Sequence, residues 1–193
     1  MIQRRVGKGL AISFTLMIGT TAWAGDGGYV GALLGVDLPT SSGRKSGTLY
    51  YGARAGGIVH QSENEKLVLG GVFLRGSTSD KVSSATIDQS INIIGAELLG
   101  FELWGTPLYM GGRIGLGLLS VDASTPTASL SMSGTSLVVS PVVGVEIPVG
   151  NVGLDIEGSY YTRTGGTLTG TLGSMEYNSA SGFLLSGGLR VKF

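Results

Sequence analysis

The 193-residue chain contains no cysteine and a single histidine. Without thiols there is no disulfide, no thiolate metal site, no catalytic cysteine and no lipid-modified N-terminal cysteine. One imidazole excludes a multi-histidine metal centre, which leaves only oxygen-ligand sites open, and neither a metal nor a cofactor is expected. Charged residues make up 13 % of the chain, against about a quarter in ordinary soluble domains. Basic and acidic residues balance at 13 each, so no basic field exists to recruit nucleic acid. No run of about 18 or more apolar residues follows the N-terminal segment, which excludes an ordinary helical membrane protein.

Glycine is what the chain has instead. Its 35 residues are more than twice the usual share of about 7 %. No Gly-X-Y repeat accompanies them, which rules out collagen, and 42 % hydrophobic residues with a mean hydropathy of +0.32 argue against disorder. A soluble domain of this size would carry more surface charge, so much of the surface is expected to face something other than water. An apolar, glycine-rich chain without spanning helices points to a membrane β-barrel.

The N-terminus reads as an address. Arg4, Arg5 and Lys8 precede an apolar stretch from Leu10 to Ile18, and Ala22-Trp23-Ala24 supplies a small-residue end. That is the layout of a cleaved secretory signal over residues 1–24, leaving a single domain over 25–193. The mature chain then carries 10 basic and 13 acidic residues.

Beyond Gly25 the residues alternate with period two between turn-forming stretches, which predicts eight strands over 28–37, 48–59, 66–76, 89–100, 107–119, 135–147, 152–163 and 181–193. Connections after strands 2, 4 and 6 are compact, and those after strands 1, 3, 5 and 7 are longer and rich in Ser, Thr and Gly. Short turns at one end, long loops at the other and an even strand number predict an all-β, eight-stranded antiparallel up-and-down transmembrane barrel with both termini in the periplasm.

Charge sets which face turns inward. Phe183, Leu185, Leu189, Val191 and Phe193 oppose Arg190 and Lys192; Leu154, Ile156 and Tyr160 oppose Asp155, Glu157 and Tyr161. Leu137, Val139, Val143, Val145 and Ile147 oppose Glu146, and Leu108, Met110, Ile114, Leu116 and Leu118 oppose Arg113. A lysine or arginine facing mid-bilayer lipid costs about 2 to 4 kcal/mol, so the charged faces are expected inside, with Arg54 and Glu97 following the same parity. Strands 1 and 3 hold too much Gly and Leu for an assignment. Two aromatic zones, Phe101, Trp104, Tyr109 and Phe193 at the short-turn end and Tyr50, Tyr51, Tyr160, Tyr161 and Phe183 at the other, read as interfacial girdles.

The ending Phe183 to Phe193, apolar at alternate positions and closed by an aromatic, resembles the C-terminal signal of bacterial outer-membrane barrels. With the leader and eight strands, the chain resembles the small barrels of the OmpA transmembrane-domain and OmpX kind. The resemblance implies residence in the outer membrane among lipid and lipopolysaccharide, and recognition of Leu189, Val191 and Phe193 by the barrel-assembly machinery. It says little about activity, because this size class spans structural, adhesive and lipid-modifying proteins.

Four inward bases (Arg54, Arg113, Arg190, Lys192) and four inward acids (Glu97, Glu146, Asp155, Glu157) predict a lumen plugged by ion pairs, in a barrel barely wide enough for its own side chains. Asp155 and Arg190 are expected roughly opposite each other. A narrow channel for small or apolar solutes along the same charges is the alternative. His60-Gln61-Ser62 with Glu63 and Glu65 is similar to the His-x-Ser pair of the outer-membrane lipid A deacylase, a more remote alternative, and reads as a solvated periplasmic turn. A soluble exported barrel is a third.

The stretches Ala128–Ser133 and Thr167–Leu172 alternate like strands, which predicts that strands 5 to 8 continue as a ribbon above the membrane. An exposed edge there suits partner binding by strand addition. The expected function is thus a non-enzymatic, structural outer-membrane barrel whose Ser/Thr/Gly-rich loops serve adhesion or partner binding, with no ligand identified.

Overall fold

A computed structural model describes residues 27–40, 47–63, 65–171 and 173–193. The leader expected over 1–24 lies outside the described residues, as does 41–46 of the first long connection.

Ten strands are present: β1 (Gly28–Pro39), β2 (Leu49–Gln61), β3 (Lys66–Val82), β4 (Ala85–Phe101), β5 (Leu108–Ser124), β6 (Ser129–Val149), β7 (Val152–Arg163), β8 (Gly166–Gly170), β9 (Gly173–Tyr177) and β10 (Ala180–Lys192). Eight of them close a ring. Each of β1 to β6 pairs antiparallel with the next, β7 pairs with β10, and β10 returns to β1 with Tyr29 opposite Lys192. Closure is tightened at the chain ends, where Gly28 and Phe193 exchange backbone hydrogen bonds of 2.8 and 3.1 Å. A closed ring leaves no unpaired strand edge around its wall.

Burial alternates residue by residue along the wall, as period-two geometry requires. Leu34, Val36, Leu116, Val143, Ile156, Leu185 and Leu189 stand outward and exposed. Arg54, Glu97, Arg113, Glu146, Asp155, Glu157 and Arg190 are buried inside. An apolar exterior around buried charge reverses the arrangement of a soluble barrel. The two strands left unassigned are settled by the same pattern: Tyr29, Leu33 and Asp37 of β1 and Val68, Val72 and Leu74 of β3 are buried in the interior.

The aromatic zones need correcting. Phe101 and Tyr109 at one end and Tyr50 at the other are buried in the lumen, with Tyr161 packed beside Tyr50. These residues share parity with Glu97, Arg113, Arg54 and Glu157 on their own strands, so the alternation that turns those charges inward turns the rings inward too. Trp104 and Phe193 below, and Tyr51, Tyr160 and Phe183 above, are the outward aromatics.

The strands at the long-loop end run past the eight spans drawn from the sequence, and the extension of β3 and β4 is the part that no alternation announced. β3 and β4 pair as far as Val82 opposite Ala85, with only Ser83 and Ser84 between them, and β5 and β6 as far as Ser124 opposite Ser129. The last long connection folds into the β8–β9 hairpin, and β8 pairs with β6 at Met132 and Ser133. Serine and threonine dominate these extensions, and β-branched and polar residues suit a paired strand outside the apolar layer, where the ladder takes up much of the backbone hydrogen bonding. Leu119, Met132 and Leu168 form a small core that holds the hairpin down.

Glycines let the rings in. A Cβ built on Gly144 would lie 2.4 Å from Cζ of Tyr109, whereas one on Gly158 meets nothing within 4 Å. Gly144→Val is expected to displace Tyr109 and to cost about 1–3 kcal/mol through overpacking, while Gly158→Ala leaves stability nearly unchanged. Urea unfolding midpoints of the two variants in lipid vesicles check the difference.

Candidate functional site

The strongest concentration of chemistry lies across the lower lumen. Six strands each place one or two charges there by parity: Arg54 from β2, Glu97 from β4, Arg113 from β5, Glu146 from β6, Asp155 and Glu157 from β7, and Arg190 and Lys192 from β10. Glu157 is the hub. Arg113 donates to both of its oxygens, through Nη1 at 2.5 Å and Nη2 at 2.7 Å, and Arg54 donates through Nη1 at 3.1 Å. The Tyr109 hydroxyl adds a third donor at 3.1 Å.

From the hub the pairing runs in two directions. Arg113 Nε continues to Glu97 at 2.9 Å, and Glu97 in turn accepts from the Tyr29 hydroxyl. Arg54 continues to Asp155, which also faces Arg190 Nη2 at 3.2 Å. Arg190 Nη1 then donates to Glu146 at 2.7 Å, and Lys192 closes the line on the same carboxylate. The eight residues thus form one connected series in which acid and base alternate at every step. Each charge of the series touches an opposite one, which is what makes such burial tolerable.

Aromatic rings pack this series from the short-turn end. The Arg190 guanidinium lies 4.3 Å from the Phe101 ring centre, 4.6 Å from Tyr29 and 5.3 Å from Tyr109. Phe101 stacks on Tyr109 at 4.9 Å. Cation–π contact of this kind gains strength when water is excluded. Below the rings a mouth of about 530 Å³ opens, lined by Ile58, Phe101, Glu146, Arg190, Lys192 and Phe193.

Tyr29, Phe101 and Tyr109 were missed as site residues. Parity with Glu97 and Arg113 was the available signal for Phe101 and Tyr109. Strand 1 offered no comparable anchor, because its one charge, Asp37, becomes informative only when it is seen buried and accepting a 2.8 Å bond from the Tyr161 hydroxyl. In the upper lumen Leu33, Tyr50, Val72, Leu74 and Leu184 form a buried apolar cluster.

Leu189, Val191 and Phe193 lie exposed on the outer face at the end of β10 and just beyond it. His60, Gln61, Ser62, Glu63 and Glu65 are exposed at the β2–β3 turn, where the ladder carries an irregularity between Ile58 and His60. Among the described residues no hydrogen bond links His60 to Ser62, and Ser62 N donates instead to the Glu65 carbonyl at 2.9 Å. No group of three histidine or carboxylate side chains among the described residues is placed to hold a metal.

Solved structures share this architecture. The chain superposes on Ail, the attachment invasion locus protein of Yersinia pestis, with a TM-score of 0.57 and 15 % identity, over 86 % of this chain and 97 % of Ail. Neisserial surface protein A gives 0.58 and 21 % identity, over 87 % and 99 % of the two chains. The fold is that of the small outer-membrane β-barrels. A major outer-membrane protein from Thermus thermophilus matches at 0.51 with 10 % identity, over 86 % of this chain and 99 % of that one. No family model matches the sequence, and no curated protein matches it either.

Within this barrel the buried and exposed ion pairs should differ sharply when one partner is removed. Glu157→Gln leaves two arginines short of charge in the lumen and is expected to cost about 3–5 kcal/mol. Glu102→Gln, which breaks the partly exposed 2.6 Å pair with Lys66, is expected to cost less than about 1 kcal/mol. Denaturant titration of both variants in vesicles separates the two cases.

Proposed function

We propose that the mature chain is a structural barrel of the bacterial outer membrane, exported by a cleaved leader, closed to solutes and active at the surface through its projecting strands. One observation carries the closed lumen: Glu157 is joined across the interior to Arg54 and Arg113, with the aromatic rings of Tyr109 and Phe101 packed beneath. Passage of an ion requires several of these buried pairs to separate together. The apolar exterior supports residence in lipid. The outward row Leu189, Val191 and Phe193 supports handling by the assembly machinery, and a lipid and lipopolysaccharide environment accompanies this placement.

The surface role follows from the upper sheet. Above the ring, strands β3, β4, β5, β6, β8 and β9 continue side by side, and β9 ends the sheet with an edge that no other strand among the described residues covers. Ail has been captured with the heparin analogue sucrose octasulfate. The described upper strands of the present chain carry Asp80, Asp88, Asp122 and Glu176 against Lys81, and with Arg44 and Lys45 of the first long connection the charges at this end nearly balance, so no basic excess favours a sulfated partner. The exposed His60–Ser62 turn sits at the opposite end from this surface, which supports a non-enzymatic reading.

Two measurements test the proposal. Refolded protein in a planar bilayer is expected to give no stable conductance steps, and reproducible steps would overturn the plugged lumen in favour of a narrow channel. The same protein is expected to pass a heparin column unretained at physiological salt; retention would overturn the reading against a sulfated partner.

A further inference from the structure

Above the ionic series the lumen holds a cavity of about 40 Å³ between Leu74, Ile93, Val138 and Leu184, with Ser140 and Ser159 also lining it. Its walls are mostly apolar. Ser159 is 5 % exposed, and its hydroxyl has no hydrogen-bond partner. Native interiors seldom leave a buried hydroxyl unsatisfied, so this one invites a group from outside the chain.

The wall beside the cavity is weakened at the same height. The β6–β7 ladder pairs Val139 with Thr162 and Val142 with Ser159 but is interrupted between them, opposite Tyr160 and Tyr161. Register is the same on both sides, so no residue is inserted. The cause is Pro141, which has no N–H to donate and stands in the middle of a strand paired on both flanks, where proline is normally excluded. Ser140 and Tyr161, at the interrupted step, line the cavity. Pro141 and Tyr160 are exposed on the outer wall, and Tyr160 packs against Phe183 at 5.0 Å among the upper outward aromatics.

We propose that the upper lumen binds the alkyl chain of a membrane amphiphile, taken in sideways through the β6–β7 seam at Pro141, with Ser159 donating a hydrogen bond to an oxygen carried on that chain. The inference rests on the membrane residence proposed above. Size selects a chain: the cavity holds on the order of three water-sized groups, enough for a short methylene segment and too little for a headgroup. Direction follows from the walls, because the ionic series blocks the way from below and the seam faces the apolar exterior.

Photolabelling tests it on the intact barrel in phosphatidylcholine vesicles. The probe is a trace of phospholipid with a hydroxyl and a diazirine on one acyl chain, and adducts are mapped by mass spectrometry. Adducts are expected on outward Val139 and Ile156 and also on lumen-facing Ile93, Val138 and Leu184. Ser159→Leu fills the space and is expected to lower the lumen adducts about tenfold, with the outward adducts unchanged as a control for folding. Ser159→Ala should lower them for the hydroxylated chain and not for its unhydroxylated counterpart. Pro141→Val restores the missing donor and should slow the appearance of lumen adducts.

Outward adducts without lumen adducts would overturn the inference, leaving a cavity that is empty or holds water. Lumen labelling as fast in Pro141→Val as in the parent, or obtained only with a diazirine-bearing butanol added from the aqueous phase, would overturn lateral entry. Absence of outward adducts as well would strike at membrane residence itself, so the two failures are distinguishable.

Discussion

The carboxylate of Glu157 receives Arg54 from β2 and Arg113 and Tyr109 from β5, strands that reach it only across the interior. Buried alone, it would be far costlier than any hydrogen bond could offset. Buried here, it holds two guanidiniums, each of which holds a further acid, so charge alternates from Glu97 to Lys192 without a break. The pairing requires β2, β4, β5, β6, β7 and β10 to be in place together. Neutralisation of the lumen charges therefore depends on closure of the ring.

The same closed ring explains why the interior is divided. Low in the barrel, long charged side chains and the rings of Tyr29, Phe101 and Tyr109 share the cross-section, with glycines such as Gly144 giving the rings space. Higher up, Leu33, Val72, Leu74 and Leu184 share the interior with Tyr50, Tyr161 and the small side chains of Ser140 and Ser159, and a cavity remains between them. Arginine and glutamate can adjust their reach to meet one another, whereas Leu74, Ile93 and Leu184 extend only as far as their fixed rotamers allow. An ionic floor beneath an imperfectly filled apolar chamber is the result, and the interrupted β6–β7 step lies beside that chamber.

Much of the fold was legible because a barrel wall imposes period two on every strand. Charges on β5, β6, β7 and β10 were informative because lipid penalises them so heavily on the outer face. The aromatics were harder. Phe101 and Tyr109 near a turn satisfy an interfacial reading as readily as an interior one, and only their parity with Glu97 and Arg113 separates the two. Strand ends were harder still: the Ser/Thr-rich stretch 77–82 carries no apolar alternation once it leaves the membrane layer, so its pairing shows only in three dimensions, whereas 128–133 still alternates.

By itself the sequence determined that the chain is an inside-out barrel, since local alternation and the scarcity of charge are properties of each strand alone. Which acid meets which base depended on the ring. Arg54 and Glu157 are 103 residues apart, and their contact is a consequence of strand order, stagger and side-chain reach. The orphaned hydroxyl of Ser159 and the missing bond at Pro141 belong to the same category. A serine and a proline in a sequence are commonplace; they become informative when closure leaves one without a partner and sets the other in the middle of a wall.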